Sequence, residues 1–128
     1  MLKKLYLWAA VFWSAIIAFL CLVQLQNAPF KSVSNLDKLV HIFFHFVFTI
    51  LWFLYFHLQF HNQKYSKSLL ISVLFSFLFG IAIEILQEYC TDSRHADFYD
   101  VFANSFGAML AFGLLFCWNT FSLKQMKK

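Results

Sequence analysis

Four apolar runs, at 5–23, 39–60, 69–89 and 98–118, decide most of what this chain can become. Each is close to the roughly 20 residues that an α-helix needs to cross a bilayer. With the polar turns that flank them, they predict helices over about 5–23, 37–60, 67–89 and 97–118. The composition rules out a soluble domain: of 128 residues 62% are hydrophobic, 19 are Phe and only 12% are charged, against about a quarter in ordinary globular chains. The fold class is therefore an all-α integral membrane protein. Short connections make neighbouring helices antiparallel, in one domain over 1–128 with no internal repeat and no linker to a second unit.

The first run is read as a retained helix. Lys3 and Lys4 precede it as they would in a signal peptide, but no A-x-A-like cleavage site follows and the run is longer than a usual signal core. Phe19 and Leu20 before Cys21 are too bulky for a lipoprotein cleavage site. Three Cys without regular spacing give neither a disulfide framework nor a zinc ribbon. Cys21 and Cys90 should both end near one face, with nothing in the sequence to fix their separation.

The net charge of +4 is an orientation signal rather than a nucleic-acid signal. With the N-terminus inside, Lys3, Lys4, Lys64, Lys67, Lys124, Lys127 and Lys128 are internal, and Lys31, Lys38 and Arg94 are external. Seven against three predicts cytoplasmic termini in the cytoplasmic (inner) membrane. All six acids, Asp37, Glu84, Glu88, Asp92, Asp97 and Asp100, then fall at or just below the outer face.

Five of those six acids lie between 80 and 108. Helix 2 begins "SNLDKLVHIFFH", in which Ser34 and Asp37 have capping-box spacing. Asp37, His41 and His45 follow at i, i+4 and i+8 along one face. Helix 3 carries Gly80, Glu84, Gln87 and Glu88 on a stripe. Helix 4 begins "DFYDVFANSFGA", placing Asp97, Asp100, Asn104, Gly107 and Ala111 at i+3 and i+4 steps. Turning the three stripes toward one another hides them from lipid and creates a polar pocket, with Gly80 and Gly107 expected near the helix 3–helix 4 contact.

Plainer roles compete at each position. Asp37, Asp97 and Asp100 suit helix caps. Gly80, Gly107, Ala111 and Gly113 suit close packing. His57 and His61 suit the opposite interface, and His95 a loop. For His41, His45, Glu84 and Asn104 the plain role is a structural hydrogen-bond network. An ionisable side chain inside a span costs about 2.5–3.5 kcal/mol even on insertion scales, and so faces a partner or a cavity.

Two chemistries fit a pocket. Outward N-termini of helices 2 and 4, with Lys38 and Arg94 beside them, suit a phosphate, and the acids suit a ligand that also carries amines or hydroxyls. In the other chemistry, His41 and His45 one turn apart, completed by Glu84 or Glu88, bind zinc and support metal-assisted hydrolysis. Ser93 and Ser105 lie nearby without a base at readable spacing.

The ordered set D-K-x-x-H (Asp37, Lys38, His41), E-x-x-Q (Glu84, Gln87), Arg94 and D-x-x-x-N-x-x-G (Asp100, Asn104, Gly107) resembles the VanZ-like family of small membrane proteins, named for a member linked to teicoplanin resistance. The resemblance spans about 37–111. His45 stands where an aromatic residue is expected, and Ala111 where a second Gly is usual. It implies a multipass protein acting on the cell envelope, with a role in glycopeptide resistance as one form of that action.

The leading expectation is binding, extending to processing, of a membrane lipid or lipid-linked envelope precursor bearing phosphate. The ligand-binding residues would be Asp37, Lys38, His41, Glu84, Gln87, Arg94, Asp97, Asp100 and Asn104, with Glu84, His41 and Asp100 as catalytic candidates. No cofactor and no nucleic acid are expected. The alternatives are a metal-dependent hydrolase using His41, His45 and Glu84, and a structural or partner-binding membrane protein without catalysis.

Overall fold

Long apolar runs rich in Leu, Phe and Ala, with no Pro between 30 and 128, form four helices: α1 (Leu2–Leu22), α2 (Ser34–Gln59), α3 (Tyr65–Cys90) and α4 (Phe98–Gln125). The computed structural model describes residues 1–23, 34–60, 64–90 and 97–125, and at 34 and 35 the backbone alone. All four helices are long and apolar enough to cross a membrane, and no strand occurs among the described residues. The chain is an all-helical multipass membrane protein. Both outer helices exceed the expected spans: α1 takes in Lys3 and Lys4, and α4 continues to Gln125 with Lys124 in its last turn. Lys is a good helix former, and near a C-terminus it also meets the negative end of the helix dipole.

α2 is the central helix and packs against the other three. In lipid there is little hydrophobic drive between helices, so close packing and interhelical hydrogen bonds hold the bundle. α1 is stitched to α2 by Trp13 Nε1, which donates to the Phe44 carbonyl (3.1 Å), and by Trp52 Nε1, which donates to Ser14 Oγ (3.2 Å). Ile17, Cys21, Phe48 and Ile83 form the apolar core, with Phe48 stacked on Phe79 at 4.6 Å and Trp52 edge-on to Phe75 at 4.7 Å.

Gly107 sets the α2–α4 approach. A Cβ there would overlap the Ile42 carbonyl, so only glycine lets the two backbones meet. That places Gly107 against α2, not at the α3–α4 contact expected for it. Gly80 does face α4: a Cβ would lie 3.0 Å from Asn104 Nδ2 and 3.1 Å from the His45 ring. Gly113, expected to pack, looks into open space. Ala103, Ala108 and Ala111 complete the buried small-residue face of α4. Cys21, Cys90 and Cys117 form no disulfide among the described residues; Cys21 is buried and the other two are exposed.

Candidate functional site

The start of α2, the end of α3 and the start of α4 meet at one end of the bundle, and each brings polar residues. Asp97 caps α4: its Oδ1 accepts from the Tyr99 amide at 2.9 Å, satisfying one of the amides that a helix start leaves open. The same residue joins the other two helices. Its own amide donates to Glu84 Oε2 on α3 (3.2 Å), and its Oδ2 lies 3.7 Å from Lys38 Nζ on α2. Both members of the Lys38 pair are well exposed, so the ion pair itself contributes little to stability. Lys38 also sits 5.7 Å from the centre of the Tyr99 ring.

Below this cap the cluster is buried. His41, Glu84, Asp100 and Asn104 are exposed by only 3%, 4%, 7% and 1%. His41 Nδ1 is 3.0 Å from Asn104 Oδ1, and its Nε2 is 3.7 Å from Asp100 Oδ2. Asp100 also lies within electrostatic reach of Asp37, and Glu84 within reach of Asp100 and His41. Three buried atoms of this cluster have no hydrogen-bond partner among the described residues: Glu84 Oε1, Asp100 Oδ1 and Asn104 Nδ2. Leaving a buried polar atom unpaired costs about 1–3 kcal/mol.

The fold therefore brings together Asp37, Lys38, His41, Glu84, Asp97, Asp100 and Asn104. It turns the amide of one expected ligand-binding residue elsewhere. Gln87 is buried, but its Nε2 donates to the Cys21 carbonyl at 2.9 Å, satisfying the open C-terminal end of α1. Glu88 continues the every-fourth-position series of α3 but is exposed, in the helix's last turn. Arg94, like Ser93, His61 and His95, lies outside the described residues. Ser34 begins α2 and Asp37 stands in its first turn, while the Ser34 side chain lies outside the description.

His45 separates from His41. One turn deeper, its Nδ1 is 2.8 Å from Ser76 Oγ and its ring stacks on Phe48. The ligand atoms that do approach one another belong to Asp37, His41 and Asp100, all within 4.8 Å. The metal alternative thus moves from His41, His45 and Glu84 to this trio.

A buried serine ladder on α3 did not figure among the sequence candidates. Ser68, Ser72 and Ser76 are completely buried. With Gly80 and Glu84 they recur at every fourth position, a single helix face, and that spacing was the available signal. His57, expected at an interface, packs between Phe53 and Tyr65, and Tyr65 ties α3 to α4 by donating to the Leu115 carbonyl at 2.8 Å.

The fold and cluster define a class: a four-helix membrane protein with a buried cluster of ionisable and polar side chains at one end of its bundle. Residues 4–119 match the family model described as VanZ/LLP1, and the chain belongs to the VanZ/LLP1 family. Neither a curated protein nor a solved structure matches it.

Proposed function

We propose that the cluster binds the head of a phosphate-bearing membrane lipid or lipid-linked cell-envelope precursor. The observation that carries this reading is the set of three buried atoms without partners, two carboxylate oxygens and one amide nitrogen. Oxygens of this kind accept from hydroxyl or amine groups, and the amide donates. The starts of α2 and α4, with Lys38 between them, supply the amides and positive charge that favour phosphate. A head carrying both phosphate and hydroxyls or amines meets both halves of the site. Arg94 adds bidentate recognition in this proposal. Processing of the bound head would fall to Glu84, His41 or Asp100.

The proposed orientation puts both termini in the cytoplasm and the cluster at the outer leaflet of the cytoplasmic membrane. Cys90, exposed at the end of α3, then reacts with an impermeant maleimide added to intact cells of a Cys117→Ser strain. Protection until the cells are opened overturns the orientation. A protein holding an envelope precursor there would change what glycopeptides of the teicoplanin type meet at the cell surface, which is the route to resistance proposed here.

The binding test is mass spectrometry of lipids that co-purify with the protein. The wild type is expected to retain a phosphate-bearing lipid that a Lys38→Ala, Arg94→Ala double variant loses. Arg94→Lys should weaken retention although the charge survives. Equal retention in the wild type and the double variant defeats the anion half of the proposal.

A further inference from the structure

We infer that Asp37, His41 and Asp100 form a binding site for a divalent cation, of the Mn2+ or Zn2+ kind, at the mouth of the cluster. The inference stands apart from the headgroup reading, because the trio can hold an ion whatever fills the rest of the cluster.

The geometry is the first support. One ligand atom from each of the three residues lies within 4.8 Å of the other two. Bonds of about 2.0–2.2 Å to nitrogen and oxygen hold ligand atoms roughly 3–4 Å apart. The trio, with Asp37 its exposed member in the first turn of α2, is thus close to the spacing that an ion imposes.

The second support is independent of the spacing and lies in the histidine. Asn104 Oδ1, 3.0 Å from His41 Nδ1, can only accept, so a neutral His41 holds its proton on Nδ1 and presents the Nε2 lone pair. That lone pair faces Asp100 Oδ2 at 3.7 Å, too far for a hydrogen bond. Two lone pairs aimed at each other repel, whereas a cation between them bonds both. Asp100 Oδ1 has no hydrogen-bond partner among the described residues, on a side chain more than nine-tenths buried. A ligating histidine whose other nitrogen donates to a fixed oxygen is the usual outer-shell arrangement at metal sites. Asn104 is thus a positioning residue.

Charge points the same way. Among the described residues, Asp37, Glu84, Asp97 and Asp100 gather at this end with Lys38 as the permanent cation beside them. The donor set selects the ion: two carboxylates and one imidazole suit Mn2+ or Zn2+, whereas Ca2+ and Mg2+ prefer oxygen alone. The rival arrangement is a proton on Nε2, giving an imidazolium that faces Asp100 and needs no metal.

The test uses the full chain in phosphatidylcholine nanodiscs, treated with chelator and titrated with MnCl2 while electron paramagnetic resonance counts free Mn2+. One saturable equivalent per chain is expected, displaced by Zn2+. Asp100→Asn and His41→Gln should weaken it at least tenfold, and Glu88→Gln by less than twofold. Pulsed resonance on the Mn2+-loaded wild type should show 14N modulation from one imidazole, a readout that depends on no variant folding. Absence of saturable binding, binding without the nitrogen signal, or undiminished binding by folded Asp100→Asn overturns the site and favours the protonated histidine.

Discussion

The buried seam between α2, α3 and α4 has two halves that solve the same problem differently. In the deep half, polar side chains are neutral and mostly paired: His45 with Ser76, Thr49 with the His45 carbonyl, and Ser72 with the Leu69 carbonyl. Ser68 Oγ and His57 Nδ1 are unpaired there, the first a hydroxyl and the second on a ring packed between Phe53 and Tyr65. At the cluster end, buried carboxylates keep open oxygens. Polar groups whose only task is to hold helices are expected to close their hydrogen bonds, as the deep half does. A half that buries carboxyl groups and leaves their oxygens open spends stability on something else.

The contrast can be broken at graded strengths. Gly107→Ala should be the most damaging change, because the added methyl meets the Ile42 carbonyl and forces α2 from α4. Overpacking of this kind costs about 1–3 kcal/mol, and lipid retention should fall with the melting temperature read by Trp fluorescence in detergent. An unchanged melting temperature would mean that α2 and α4 do not meet there.

Ser76→Ala strips His45 Nδ1 of its partner. In membrane proteins such bonds average about 0.6 kcal/mol, with larger values near 1.7. A modest drop in melting temperature is expected with lipid retention intact, since the deep half is structural. Lost retention at unchanged stability would erase the distinction between the halves. Gly113→Ala should do least. Its Cβ enters open space, so the helix-propensity gain of up to about 1 kcal/mol can appear as a slightly higher melting temperature, with retention unchanged.

Much of this was legible beforehand, and what was not has physical causes. The spans follow from hydropathy alone because lipid imposes a strong length rule on apolar runs. The convergence of His41, Asp100 and Asn104 follows from their helical spacing and the cost of facing lipid. Spacing gives a face, however, not its rotation against a neighbour. Gln87 shares the stripe of Glu84, yet the orphan carbonyl of Cys21 takes its donor. His45 shares a face with His41, yet Ser76 on α3 takes its nitrogen. The same limit hid the site of Gly107: small residues announce a close contact without saying which helix makes it. The serine ladder escaped because serine is common in spans and carries no charge to mark it.

The central claim is that the acidic end is kept for a ligand and not for the fold, and Glu84→Gln tests it most directly. Gln keeps the side chain's size and can still accept from the Asp97 amide through its carbonyl oxygen, while the ionisable carboxyl is removed. Equal amounts of monodisperse wild-type and variant protein are extracted, and the phosphate-bearing lipid carried by each is quantified by mass spectrometry. The account predicts a variant that folds as well as the wild type or better, and that retains at least tenfold less lipid. Full retention by the variant would contradict it and return Glu84 to the hydrogen bonding that holds α3 against α4.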